Sequence, residues 1–485
     1  MIVHTNTGAV RGLAVGAVTA FLGIPYAAPL EAHRRFAAPE PPTAWEGVRP
    51  ATTFSAVPAQ TSRPAPIGPP LWGPTDDPDC LSVNVWTPDP GSAGLPVLVW
   101  IYGGAFLHGS SSEALYDGTR LAERGAVVVS FNYRVGFEGM GWLPDAPSNR
   151  FLLDQLAALR WVRDNIAGFG GDPDKVTVFG QSAGATSVLA VLCSPASRGL
   201  LRRAIAQSPP GRYRTPDQAR RMTETVAREV GAPATAAAFA QVPATDLHRA
   251  SATLLDGTIG GADGLTDSVS PYAPIIDGEL VTAPSWRALR DGAGRDNDLL
   301  IGFARDEFRL FNARPDLPAA DPAETARALS LGPDVLAAYR EARPGASETD
   351  LHLELMSDAR YRMNAVYCAR AHAAAGGATY LYEFTWPSPS LGGALGACHG
   401  IDLPFVFGAT TGPMVELMLG DALRDDVESL SRALQRAWVS FAATGEPGWP
   451  RYRAVDQITR VWDLPPTLSS DPQALSRQLW STHFE

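Results

Sequence analysis

The chain has 485 residues and a formal net charge of -11, and its 45% hydrophobic share is that of a folded protein able to bury a large core. Acidic residues outnumber basic ones by 51 to 40, and no basic cluster could neutralise successive phosphates, so no nucleic-acid partner is expected. No apolar run reaches the roughly 18–20 residues of a membrane span. The start Met1-Ile2-Val3-His4-Thr5-Asn6 lacks the charged and apolar parts of a signal peptide. No membrane association and a cytoplasmic location are therefore expected.

In chain order, short apolar runs suited to buried strands occur at Val97 to Ile101, Val127 to Phe131, Val176 to Phe179 and Leu299 to Ile301. Helical spacing lies between and after them. Phe151 to Ile166 is apolar at positions 152, 153, 156, 159, 162 and 166, and Leu423, Val427, Leu430, Leu434, Trp438 and Phe441 repeat the period. Such alternation predicts an α/β fold with helices on both faces of one sheet. The Pro- and Gly-rich stretches from about 57 to 80 and from Asp256 to Asp267 read as long surface loops. No repeat, heptad array or Pro/Ser linker divides the chain, and length alone leaves the domain count open.

Cys80, Cys193, Cys368 and Cys398 lie far apart without a CxxC spacing, so four reduced thiols and no metal site are expected. Basic charge is almost entirely arginine, with Lys175 the one lysine. That bias, with abundant Ala, Gly and Pro, reads as a GC-rich bacterial genome and carries no mechanism.

The strongest local signal is Gly180-Gln181-Ser182-Ala183-Gly184, directly after the strand-like Val176 to Phe179 and before a helix-compatible run. A sharp strand-to-helix turn needs small residues around the serine and holds its hydroxyl out at the sheet edge. The helix behind it favours developing negative charge. Upstream, Trp100-Ile101-Tyr102-Gly103-Gly104-Ala105-Phe106 runs a buried strand into a turn of small residues. Backbone N–H groups there can face an oxyanion, although a plain glycine turn explains the same residues. By residue type alone, any of eight histidines could be the partner base, with His108 close behind this turn.

Taken together, these segments resemble the type-B carboxylesterases, α/β-hydrolases that include cholinesterases and bacterial p-nitrobenzyl esterases. The resemblance spans nearly the whole chain. Phe21-Leu22-Gly23-Ile24-Pro25-Tyr26-Ala27 with Arg35-Phe36 looks like the family's opening. Asp79-Cys80-Leu81-Ser82-Val83-Asn84-Val85 is similar to its cysteine-bearing signature, and Asn132-Tyr133-Arg134-Val135-Gly136, Leu153-Asp154-Gln155 and Phe169-Gly170-Gly171-Asp172-Pro173 follow in family order.

The resemblance implies one α/β-hydrolase domain over 1–485, with a large, mostly parallel sheet flanked by helices and with loop and helical insertions forming the pocket. It implies a triad of Ser182, Glu307 and His399. Glu307 lies in Ile301-Gly302-Phe303-Ala304-Arg305-Asp306-Glu307, with Asp306 as its rival, and His399 in Gly396 to Gly408. The implied oxyanion donors are the N–H groups of Gly104, Ala105 and Ala183, and the implied pocket aromatics are Phe106, Phe311 and Trp72, for each of which ordinary packing is an equal reading. The implied activity is hydrolysis of small to medium uncharged carboxylic esters through an acyl-enzyme, with no cofactor or metal. Acyl transfer or cyclisation in a biosynthetic pathway would use the same triad. A monomer is expected, with a dimer as the alternative.

The sequence departs from the family pattern in four places. No cysteine near Val57-Pro58-Ala59-Gln60 can pair with Cys80. Pro78 replaces an acidic residue, which leaves the ion-pair partner of Arg35 open. Pro209-Pro210 replaces the glycine after Gln207-Ser208, which predicts a reshaped pocket wall. Gln181 stands where many relatives carry Glu, and the sequence assigns it no role.

Overall fold

Runs of β-branched and aromatic residues that are apolar on both faces are stable only where both faces are covered, and in the computed structural model they form the middle of one sheet. The structure describes residues 1–60, 71–73, 77–255, 269–312, 320–420 and 425–484. Among them the central sheet has eleven strands. In chain order they are β1 (Leu13–Val15), β2 (Val18–Pro25), β3 (Ser82–Thr87), β4 (Leu95–Ile101), β5 (Val127–Phe131) and β6 (Gly171–Gln181). They continue with β7 (Arg203–Gln207), β8 (Asp298–Ala304), β9 (Thr379–Phe384), β10 (Ile458–Trp462) and β11 (Thr467–Ser470). The spatial order is β1-β2-β3-β5-β4-β6-β7-β8-β9-β10-β11. Pairs from β5 through β10 are parallel and those at both ends are antiparallel. A separate three-stranded sheet joins Ile2–Thr5, Gly8–Arg11 and Val48–Pro50.

All four predicted runs fall inside β4, β5, β6 and β8. The first predicted helix is α1 (Arg150–Asn165), followed by a 3-10 turn at Ile166–Phe169. The last is the helix Asp425–Thr444, and Leu423 lies outside the described residues. The predicted loop near 57–80 contains no strand or helix where it is described, and 256–267 falls outside. This is the α/β-hydrolase fold, with a mixed, mostly parallel sheet, flanking helices and inserted loops. Among the described residues no helix is long and apolar enough to cross a membrane.

Register sets where chemistry can occur. Ile101 pairs with Gly180, Gln181 with Gln207, and Gln207 with Gly302, so the carboxyl ends of β4, β6, β7 and β8 finish at one level. Ligand sites in open parallel sheets gather at this edge. The loops above it are pinned by buried ion pairs. Fully buried Arg134 donates to both carboxylate oxygens of Asp154 on α1, at 2.9 and 2.7 Å, and to the carbonyls of Arg35 and Ala37. Burial desolvates both charges, and the bidentate geometry with extra carbonyl acceptors offsets that cost.

The structure settles the partner of Arg35. Its Nε donates to Glu138 at 2.6 Å, and its Nη1 caps the carbonyls of Phe239 and Val242. The four cysteines are free thiols. At Pro209-Pro210, each carbonyl accepts a hydrogen bond from a helix side chain. Asn364 Nδ2 donates to Pro209 and Thr186 Oγ1 to Pro210, bracing α2 (Ala183–Cys193) and α5 (Met363–Ala374), the latter preceded by α3 (Ala244–Ala252) and α4 (Glu348–Ser357).

Candidate active site

At the end of β6 the chain reverses into α2 through Ser182, whose φ of 58° and ψ of -126° lie outside the ordinary allowed regions. Such a conformation costs about 1–3 kcal/mol and persists only where surroundings enforce it. Here the Ser182 N–H donates to the Gln207 carbonyl at 2.9 Å, and its carbonyl accepts from Thr186 N at 3.0 Å. The flanking glycines are dictated by contact: a Cβ on Gly184 would sit 2.1 Å from the Ile101 carbonyl oxygen. Ser182 is half-buried.

The turn after β4 lies beside this elbow. Gly104 has a φ of 111°, and a Cβ there would meet the His108 carbonyl oxygen at 2.0 Å. Ala105 and Phe106 are also left-handed, at 57° and 59°. The turn closes on itself as Leu107 and His108 N–H groups donate to the Gly104 carbonyl. Among the described residues, the N–H groups of Gly104 and Ala105 in this turn, and of Ala183 at the start of α2, donate to no other group. His108 is thus a residue of the turn itself.

Glu307 and His399 come from the loops after β8 and β9. Glu307 is fully buried, and its Oε1 accepts from Ala304 N at 2.8 Å while its Oε2 meets His399 Nδ1 at 2.5 Å. The two loops are laced through their backbones. His399 N donates to the Glu307 carbonyl at 3.2 Å, and Asp306 N to the Ala397 carbonyl at 2.9 Å. Asp306 faces the other way, accepting from Ala397 N and pairing with Arg309 at 3.6 Å. The carboxylate that holds the imidazole is therefore Glu307.

A serine at a strand-to-helix elbow, three amides without acceptors and a buried carboxylate–imidazole pair all follow the carboxyl ends of sheet strands. The carboxylesterase family model matches residues 1–475. The chain belongs to the carboxylesterase family. Its para-nitrobenzyl esterase relative from Bacillus subtilis is 37% identical, with 98% of each chain covered. Acetylcholinesterase of Bungarus fasciatus is 33% identical over 93% of this chain and 81% of its own. The crystal structure of a Geobacillus stearothermophilus carboxylesterase at pH 6.2 superposes with a TM-score of 0.86 and 35% identity, covering 99% of each chain. The protein is a serine-hydrolase-type α/β-hydrolase acting on esters.

The three aromatics singled out in the sequence of this carboxylesterase lie in different surroundings. Phe311 lies 5.4 Å from the His399 ring. Phe106 is buried, packs edge-on against Phe151 at 5.2 Å, and accepts a hydrogen bond from Gly136 N through its carbonyl. Trp72 packs edge-on to His248 of α3 at 5.8 Å, and among the described residues no ring contact joins it to His399.

Three neighbours of the imidazole escape sequence reasoning. Gln181 Nε2 lies 3.0 Å from His399 Nε2, inside the pentapeptide but without a signal of its own. Tyr361 packs its ring on His399, and it comes from a single π-turn at Asp358–Arg362 that no periodicity marks. Asp402, three residues after the histidine, is fully buried, with its Oδ2 accepting from Gln207 Nε2 and Tyr382 Oη at 2.9 Å each and its Oδ1 unpartnered. Burial first, and then the nearby Glu307 charge, raises the Asp402 carboxyl above its ordinary value. Burial likewise pushes the Cys398 thiol far up, so the cysteine next to His399 stays protonated and is no nucleophile at neutral pH. Among the described residues no three His, Cys, Asp or Glu side chains are grouped to hold a metal.

Proposed function

We propose that Ser182 is the nucleophile, His399 its general base and Glu307 the group that orients the base, with Gly104, Ala105 and Ala183 as oxyanion donors. The Nδ1–H of His399 donates to Glu307, which leaves the Nε2 lone pair to take the Ser182 proton as Oγ attacks an ester carbonyl. The tetrahedral oxyanion is bound by the three amides, each such donor typically contributing about 2.7–4 kcal/mol to barrier lowering. His399 returns the proton to the leaving alkoxide. Water then attacks the acyl-enzyme with His399 again as base, releasing the acid.

The observation that carries this reading is the set of three amides without acceptors beside a strained serine elbow. The substrates are small to medium uncharged esters, with Phe311, whose ring lies 5.4 Å from that of His399, and with Phe106 and Trp72 as the pocket aromatics. The buried charge of Glu307, with Asp402 behind it, disfavours an anionic acyl group at the same edge. The chain acts as one cytoplasmic domain and as a monomer. In support of one domain, a continuous buried core runs from Val3 to Trp480.

Labelling tests the assignment. A p-nitrophenyl phosphonate is expected to add once to the native protein and to spare a folded Ser182→Ala variant that hydrolyses no p-nitrophenyl ester. Label on the variant at the native rate refutes it.

A further inference from the structure

The His399 Nε2 is occupied. Gln181, only 5% exposed, places its side-chain Nε2 3.0 Å from it, while no hydrogen bond to the Ser182 hydroxyl is present among the described residues. Only one arrangement of protons fits both ends of the imidazole. Glu307 is a carboxylate that accepts, so Nδ1 carries the hydrogen. Nε2 is then a lone pair, and the Gln181 amide must donate to it.

We propose that Gln181 is a positioning residue for His399: its amide holds the resting imidazole in the neutral, Nδ1–H form and yields the Nε2 lone pair to Ser182 when substrate enters. The proposal rests on His399 being the base of the triad above. An amide suits this role because its NH₂ donates to the lone pair of the neutral ring. A carboxylate of the same size cannot. Ionised, it accepts only, and so it pairs with the imidazolium and favours the protonated base.

The surroundings leave room for that difference to register. The titratable groups facing His399 are Glu307 on Nδ1, Tyr361 on its ring, and Asp402, with Tyr382 bonded to Asp402, Asp306 on the adjoining loop and Cys398 preceding it in the chain. Each is acidic or neutral, and the cations on the same elements, Arg309 and Arg362, are ion-paired to Asp306 and to Asp358 and Glu354. Gln181 is the group among these neighbours that donates to Nε2, and thus the one that favours the neutral ring.

The test uses the full-length protein and two substitutions. Gln181→Glu is expected to move the acid limb of the kcat/KM profile for a neutral p-nitrophenyl ester upward by about one pH unit or more, the shift an opposite charge typically causes. That is a tenfold or greater loss at a pH below the limb, with little loss at pH 9. Gln181→Met, similar in shape but unable to donate, is expected to move the limb by less in the same direction. The rate of phosphonate labelling of Ser182 should follow the same two curves. Thermal melting of each variant at pH 8 establishes that it is folded. Limbs that superimpose on the native one in both folded variants overturn the proposal, as does an equal loss at every pH. If instead Ser182→Ala is still labelled, the triad itself has failed, which is a different result from either.

Discussion

The phenol ring of Tyr361 lies against the imidazole of His399, with centroids 4.3 Å apart and planes 37° from each other. Phe311 continues the stack, parallel to Tyr361 within 5° at 6.1 Å. The π-turn that delivers Tyr361 is tied to the acid's own loop. Buried Arg362 donates to Asp358, to Glu354 and to the Arg305 carbonyl, and Phe308 N donates to Ser357 Oγ. One network therefore holds both the carboxylate and the ring face of the histidine, consistent with the frequent use of π-turns at functional sites.

Removing the ring should loosen the base without removing any reacting atom. Tyr361→Leu is expected to lower kcat about tenfold, of the order of one aromatic contact, with a smaller change in KM. Tyr361→Phe should stay within about threefold, because the stacking face is kept. Steady-state kinetics with p-nitrophenyl acetate and butyrate distinguishes this from a pocket role, in which KM would carry the loss.

The two neighbouring acids should behave unequally. Glu307→Gln presents an amide NH₂ to His399 Nδ1 and so forces the hydrogen onto Nε2, the wrong tautomer for a base. A loss of roughly 10³–10⁴-fold in kcat is expected. Asp306→Asn weakens a contact with Ala397 N and an ion pair with Arg309, and a loss below tenfold is expected. Comparable losses from the two substitutions would show that the acid is misassigned.

Stability should fall on mild acidification for a reason separate from catalysis. His248, His352 and His372 are buried, and burial lowers each below its ordinary value. Both ring nitrogens of His248 are without partners. Unfolded chains take up these protons near pH 6.5 whereas the native state resists them, so stability is full above about pH 6.5 and declines as pH falls below it. Each such group contributes at most about 1.4 kcal/mol per pH unit. Urea midpoints at pH 7.5 and 5.5 should therefore differ, and His248→Leu should reduce the difference. An unchanged difference in that variant removes His248 from the explanation.

The thiols should be reactive only after unfolding. Burial raises Cys193 to about 12 and pushes the other three further. Unreduced protein in denaturant is expected to take up four equivalents of iodoacetamide, one for each of the four cysteines, and native protein far less over the same time. Cys398→Ser should retain most of the esterase activity. Uptake of two equivalents by the denatured chain would reveal a disulfide.

The sequence by itself determined four of the eleven strands of the central sheet and the elbow. The reason is local: buried parallel strands must be apolar on both faces, and a strand-to-helix reversal at Ser182 tolerates only small neighbours, since a Cβ at 184 collides with the carbonyl of Ile101. The acid and the histidine were legible only through resemblance, because nothing in the spacing of 182, 307 and 399 tells which loops meet. Tertiary structure alone decided what surrounds the imidazole. Parallel register brings Gln181, Gln207 and Gly302 to one level, and an irregular turn aims Tyr361 at a ring nearly forty positions away. It also gave Arg35 its partner in Glu138 and turned Pro209-Pro210 into a brace for two helices. These are contacts between segments distant in sequence, set by how the sheet is ordered and how its helices pack, and neither is written in the periodicity of any one segment.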